Sequence, residues 1–212
     1  MKKHKPVILA LDGLSPDKAI SLAKELQPYI WGIKGNDLFD QISIQEFKKR
    51  VPGIKIMADL KLHDIPSTVG RRVKAQKVAG AEFITIHIQG GKEMATEALK
   101  AAGKGAVILG VTKLTSESAS KFDMQKLSKD ALRYGLHGIV CSGKDLPFLP
   151  INKFSHIVTP GIRSLKARKD DQKRVATPQE ALKNGATHIV IGREVTKSSN
   201  PKERMLEIYE SL

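Results

Sequence analysis

Short apolar runs alternate with longer amphipathic stretches along the whole chain. The runs Val7–Leu11, Tyr29–Ile33, Ile54–Leu60, Phe83–Ile88, Ala106–Val111, Gly138–Cys141, His156–Thr159 and His188–Ile191 are rich in Val, Ile or Leu. That is the pattern of strands buried on both faces. Helical spacing runs between them over Ile44–Arg50, Thr68–Ala79, Lys92–Ala102, Asp123–Tyr134, Thr177–Asn184 and Pro201–Tyr209. An earlier helix opens at Ser15 as N-cap and Pro16 as N1, with Ala19, Ile20, Leu22, Ala23 and Leu26 on its apolar face. Gly80, Gly103, Gly135 and Gly185 stand where left-handed helix caps are expected.

Eight strand–helix units in 212 residues average about 26 residues each, near the lower limit for a (β/α)8 barrel. A doubly wound open sheet also alternates in this way. The first strand, however, is followed by Asp12-Gly13-Leu14-Ser15 rather than a glycine-rich dinucleotide fingerprint. No linker or composition break interrupts the pattern. The expected architecture is α/β, one (β/α)8 TIM barrel domain over residues 1–212.

Composition narrows the class. With 41% hydrophobic residues, wholesale disorder is excluded. A single cysteine, Cys141, excludes an intramolecular disulfide framework. No stretch approaches the roughly 18 apolar residues of a membrane span. The basic start Met1-Lys2-Lys3-His4-Lys5-Pro6 precedes only a short apolar run, so a signal peptide is not read and a cytoplasmic location is expected. Lys and Arg number 36 against 22 Asp and Glu, giving a net charge of +14. The positive residues are scattered and aromatics make up only 5%, which argues against single-stranded nucleic acid and for a small anionic partner drawn in by the field.

In such a barrel the chemistry lies at the C-terminal ends of the strands. There the sequence places Asp12, Lys34, the cluster Asp59-Leu60-Lys61-Leu62-His63-Asp64, His87, Thr112-Lys113-Leu114-Thr115, Thr159-Pro160-Gly161 and Gly192-Arg193. So many charges are costly to desolvate unless they alternate in sign. Asp59 and Lys61, two apart in extended chain, share a face. A lysine flanked by carboxylates stays protonated, a fixed cation with a transferable proton, which suits a reaction that builds negative charge on carbon. Gly192 and Arg193 fit the phosphate-binding habit of the last strand ends. The long polar segment after strand seven, Gly161 to about Ala176, reads as a ligand lid. His63 is expected to face away from Asp59 and Lys61 in a packing role, and His87 and Cys141 to lie inside the barrel. A zinc site is not expected from such scattered histidines.

These stretches resemble the orotidine 5′-phosphate decarboxylase family. The matches are Leu9-Ala10-Leu11-Asp12, Ile33-Lys34, Asp59 to Thr68, Val111 to Ser116, Thr159 to Arg163, Asp171 to Arg174 and Ile191 to Arg193, in the family's order. The run Asp59-Leu60-Lys61-Leu62-His63-Asp64-Ile65-Pro66-Ser67-Thr68 is the specific one. The resemblance implies a homodimeric barrel that converts orotidine monophosphate to UMP and CO2, with no metal or organic cofactor. It implies a catalytic array of Lys34, Asp59 and Lys61, completed by Asp64 from the other subunit. Lys61 would stabilise and protonate a C6 carbanion beside Asp59. Asp12, Lys34 and the partner chain's Thr68 would hold the ribose, and Thr115 the pyrimidine. Pro160, Gln172, Gly192 and Arg193 would hold the phosphate. The chain departs from the family after Lys34, where Gly35-Asn36-Asp37 replaces a small apolar pair.

Two alternatives stand beside this reading. One is a metal-dependent sugar-phosphate relative, such as 3-hexulose-6-phosphate synthase or 3-keto-L-gulonate-6-phosphate decarboxylase, which uses the same carboxylates around Mg²⁺. Those relatives usually lack the Ile-Pro-x-Thr that follows Asp64 here. The other is a basic nucleic-acid-binding protein on a barrel scaffold, which accounts for the charge but not for the ordered strand ends.

Overall fold

The computed structural model describes residues 5–114, 120–163 and 176–212. Eight parallel strands close into a barrel in chain order: β1 (Val7–Ala10), β2 (Gly32–Gly35), β3 (Ile56–Leu62), β4 (Phe83–His87), β5 (Val107–Val111), β6 (Gly138–Val140), β7 (His156–Thr159) and β8 (His188–Ile191). The last strand pairs with the first, Val7 beside Ile189 and Leu9 beside Ile191. The fold is therefore the (β/α)8 barrel expected from the alternation.

The helices among the described residues are α1 (Pro16–Leu26), α2 (Leu38–Gln41), α3 (Ile44–Arg50), α4 (Pro66–Ala79), α5 (Gly91–Ala102), α6 (Lys121–Arg133), α7 (Pro178–Lys183), α8 (Arg193–Thr196) and α9 (Pro201–Glu210). Their starts follow local chemistry. Ser120 and Thr177 form capping boxes with Asp123 and Glu180, each satisfying backbone N–H groups that the helix leaves open. The Ser120 hydroxyl and backbone amide hold the Asp123 carboxyl below its usual range. Ser15 occupies the expected N-cap position before Pro16, but its side chain makes no capping bond. Gly80 ends α4 at φ 101°, the left-handed cap that a side chain would strain. None of the described helices is long and apolar enough to cross a membrane.

Two cores hold the layers together. Ile8, Met57, Phe83, Leu109, Val111, Val140, Val158 and Val190 fill the barrel interior. A larger cluster, including Leu9, Ile33, Phe47, Ile84, Met94 and Ile189, lies between strands and helices. Each such side chain contributes about 1.5–3 kcal/mol by leaving water. Cys141 belongs to this outer cluster, not to the barrel interior as the sequence implied, because the inward position on that strand is taken by Val140. Burial, and then the nearby Asp145, push its thiol pKa up, so it is no nucleophile.

Two strand boundaries differ from the pattern in ways that matter. The run Tyr29–Ile33 is apolar partly because Ile30 is buried among the helices and Tyr29 packs edge-on against Tyr209, not because it is all strand. β2 begins at Gly32, which puts Lys34 inside the strand. β3 runs on to Leu62, with an irregularity: Ala58 pairs with Ile84 and Leu62 with Ile86. Asp59, Leu60 and Lys61 therefore face a single β4 residue, Thr85. This is a bulge, and at its end Lys61 has φ 48°, the only positive value at a non-glycine among the described residues.

Candidate active site

The bulge, the neighbouring strand ends and β8 place the charged residues at one mouth of the barrel. Asp12 follows β1, Lys34 lies near the end of β2, and Asp59 and Lys61 stand on the β3 bulge. They form an alternating chain. Lys34 Nζ is paired with Asp12 Oδ2 and lies 3.2 Å from Asp59 Oδ2. Lys61 Nζ is 2.8 Å from that same oxygen and 3.2 Å from the Asp59 carbonyl. Asp59 is buried and Lys34 nearly so. Burial alone would depress the Lys34 ammonium; the charges of Asp59 and Asp12 outweigh it and raise its pKa above the ordinary lysine value. The expected sharing of one face by Asp59 and Lys61 holds, though it is reached through a bulge rather than a regular pleat.

The segment after Lys34 braces the first carboxylate. The Asn36 N–H donates to Asp12 Oδ1 at 2.6 Å, and Asp37 Oδ2 accepts from the Gly13 N–H at 2.9 Å. The departure Gly35-Asn36-Asp37 thus ties the end of β2 to the turn after β1. Asp37 and Asn36 were not singled out as functional from the sequence, because both bonds are donated by a backbone N–H that no motif reveals.

Beside this chain opens a cleft of about 310 Å³ lined by Ala10, Asp12, Lys34, Pro160, Gly161, Ile162, Arg163, Val190, Gly192, Arg193 and Thr196. Charged array and cleft are continuous, since Asp12 and Lys34 belong to both. Arg193 and the largely buried Arg163 give the far end two guanidinium groups, each suited to bidentate binding of a phosphate or carboxylate. Arg163 had no assigned role in the sequence; its signal was a lone arginine directly after Gly161-Ile162 at a strand end. Among the described residues no group of three or more His, Cys, Asp or Glu is placed to hold a metal ion.

Not every expected residue joins the site. Asp64 is exposed beyond the array and accepts the N–H of Ile65 at 2.7 Å. Thr68, in the first turn of α4, is half-buried and accepts from Arg71 at 3.0 Å. His63 is exposed rather than packed in a core, its ring 5.6 Å from the half-buried His87. Thr115 and Gln172 lie outside the described residues, as does most of the segment read as a lid. The described ends of that segment are tied together by the Arg163 N–H to Ala176 carbonyl bond at 3.0 Å.

A family model described as orotidine 5′-phosphate decarboxylase / HUMPS family matches residues 5–208. An orotidine 5′-phosphate decarboxylase of Methylacidiphilum infernorum (isolate V4) is 43% identical over 210 residues, covering 92% of this chain and 91% of that one. One from Wolbachia pipientis subsp. Culex pipiens (strain wPip) is 40% identical over 225 residues, 98% of each chain. Among solved structures, orotidine 5′-phosphate decarboxylase from Lactobacillus acidophilus superposes with a TM-score of 0.80 at 31% identity, covering 97% of this chain and 98% of the other.

Proposed function

We propose that this chain, which belongs to the orotidine 5′-phosphate decarboxylase / HUMPS family, removes CO2 from orotidine 5′-phosphate to give UMP. The observation that carries the reading is the alternating array Asp12–Lys34–Asp59–Lys61 opening onto a cleft with two arginines. An ammonium held between carboxylates at one end and anion-binding groups at the other match a phosphorylated substrate that becomes a carbanion. The metal-dependent sugar-phosphate reading and the nucleic-acid reading find no support in the relatives, which bear the decarboxylase's name.

In the reaction the bond from pyrimidine C6 to the carboxylate carbon breaks, CO2 leaves, and the electron pair stays on C6. Lys61, fixed by Asp59, stabilises that charge and delivers its proton to C6; it regains a proton from water for the next turnover. The array is preorganised, so little reorganisation is required as charge develops. Asp12 and Lys34 hold the ribose hydroxyls, and Pro160, Gly192 and Arg193 hold the phosphate, with Gln172 beside them. Thr115 meets the pyrimidine. Binding energy from the phosphate, remote from the reacting carbon, is available to stabilise the transition state at C6. Asp64 and Thr68, which stand outside the array in their own chain, complete the site of a second copy in a homodimer. Neither a metal nor an organic cofactor takes part in this scheme.

The test is turnover of purified protein with orotidine 5′-phosphate, followed by the loss of ultraviolet absorbance as UMP forms, with and without EDTA. Turnover that resists EDTA and vanishes in Lys61→Ala supports the reading. Absence of turnover overturns it, and sugar phosphates with Mg²⁺ become the next substrates.

A further inference from the structure

Opposite the β3 bulge a hydroxyl stands between two isoleucines of β4. Thr85 is fully buried, between Ile84 and Ile86, at the place where three residues of β3 have lost their regular partners. Its hydroxyl does two things. It accepts the backbone N–H of Lys61 at 2.8 Å, and it lies 3.1 Å from Asp59 Oδ1, to which it donates. A hydroxyl has one proton. With a backbone N–H directed at its oxygen, that proton is free to go to the carboxylate, and the pairing has one consistent direction.

Thr85 therefore touches both halves of the pair that the bulge creates. The Asp59 carboxylate is fixed through both oxygens, Oδ1 by Thr85 and Oδ2 by Lys34 and Lys61. The Lys61 backbone, in a left-handed conformation that a non-glycine residue adopts only under constraint, is held by the same hydroxyl. We propose that Thr85 is a positioning residue for the decarboxylation, a single buried hydroxyl that sets Lys61 Nζ and the Asp59 carboxylate in register with each other. The inference rests on the proposed function. It adds that the proton donor's geometry is set from the neighbouring strand, by a side chain that never meets substrate.

Thr85→Val keeps the branched shape and removes both hydrogen bonds, while Thr85→Ser keeps the hydroxyl. The comparison is of kcat, KM, affinity for UMP, and melting temperature. A hydrogen bond to a charged group is worth enough to lower kcat in Thr85→Val about 10- to 100-fold. KM and UMP affinity should stay within about threefold, because the ribose and phosphate groups are untouched, and Thr85→Ser should restore most of kcat. A purely structural role would lower melting temperature and the fraction of active enzyme without this split. Equal kcat in wild type and Thr85→Val overturns the proposal, as does a loss in Thr85→Ser as large as in Thr85→Val. If the valine variant does not fold, Thr85→Ala replaces it. Failure of both to fold, with the serine variant intact, also overturns it by making the hydroxyl a folding requirement. Lack of turnover in wild type is a different result, and refutes the proposed function instead.

Discussion

Replacing Asp59 with asparagine keeps the side chain's shape and removes the one negative charge lying between two ammonium groups. Its Oδ2 sits 3.2 Å from Lys34 Nζ and 2.8 Å from Lys61 Nζ. At an effective dielectric constant near 20, the contacts are worth about 5 and about 6 kcal/mol of Coulomb attraction. Most of that gain is offset by the desolvation of the three groups, and breaking a buried pair by removing one partner costs about 3–5 kcal/mol net. The lower end applies here: Lys34 keeps Asp12, and the Lys61 side chain is 30% exposed and partly screened by water. We expect Asp59→Asn to destabilise the unliganded protein by about 3 kcal/mol, which for a chain of this size lowers the melting temperature by roughly 6–12 °C. The side-chain exposures of Asp59 and Lys34, 9% and 12%, also predict that raising NaCl from 0.1 to 0.5 M leaves the difference unchanged, unlike a surface pair. Thermal melts at pH 7 at the two salt concentrations provide the assay. The same variant should lose about 100-fold or more in kcat as Lys61 loses its anchor. A melting temperature equal to wild type, or higher, would refute the electrostatic reasoning: the array would then store repulsion between its charges rather than gain from their alternation.

Gly138→Ala tests the opposite mouth of the barrel. A Cβ there would lie 2.1 Å from the His156 carbonyl oxygen, backbone that moves only by parting β6 from β7. A loss of about 2–3 kcal/mol in chemical denaturation is expected, with kcat per folded molecule unchanged because the chemistry is at the other end. A third prediction concerns acid. Burial lowers the pKa of His137, and burial together with His137 lowers that of His156, in a pocket they share with Lys55, Lys104, Glu82 and His188. Both groups bind protons more readily in the unfolded chain, so stability should fall as pH drops below about 6.5 and on through their folded values. Moreover, protonating His137 Nδ1 would break its bond from the Ile108 N–H, 2.9 Å long. Melting temperatures that stay flat from pH 7 to 5 would contradict this, whereas a slope that flattens in His156→Phe would support it.

Most of the barrel was legible because strands buried on both faces leave runs of Val, Ile and Leu that little else produces. Asp12, Lys34, Asp59, Lys61 and Arg193 were legible as charges closing such runs, where burial forces pairing. The short helices α2 and α8 were not, since four residues are too few to show a period. Nor was the bulge: nothing local to Asp59-Leu60-Lys61 marks a non-glycine residue at positive φ, a conformation held from outside by Thr85. That threonine did leave a trace, a hydroxyl inside the run Phe83–Ile88, which in a strand with no solvent face has to find a partner. The misplaced start of β2 has another cause. Ile30 is buried and Tyr29 half-buried by helices, and burial against a helix reads the same as burial in a sheet.

The cleft beside the charged array lies across the junction of β1 and β8. Asp12 and Ala10 come from one side of that junction, Val190, Gly192 and Arg193 from the other, and the strands are laced by bonds such as Ile189 N–H to the Pro6 carbonyl at 2.9 Å. A ligand gripping both sides is a clasp on the barrel's closure. During synthesis the cleft does not exist until the last strand has joined the first, so substrate cannot be held by a partly made chain. In the finished molecule, occupancy adds RT ln(1 + [L]/Kd) to whatever holds the ring shut. Metabolite concentration thereby becomes a term in how often the ring opens, and so in how long the protein survives proteases that cut opened chains.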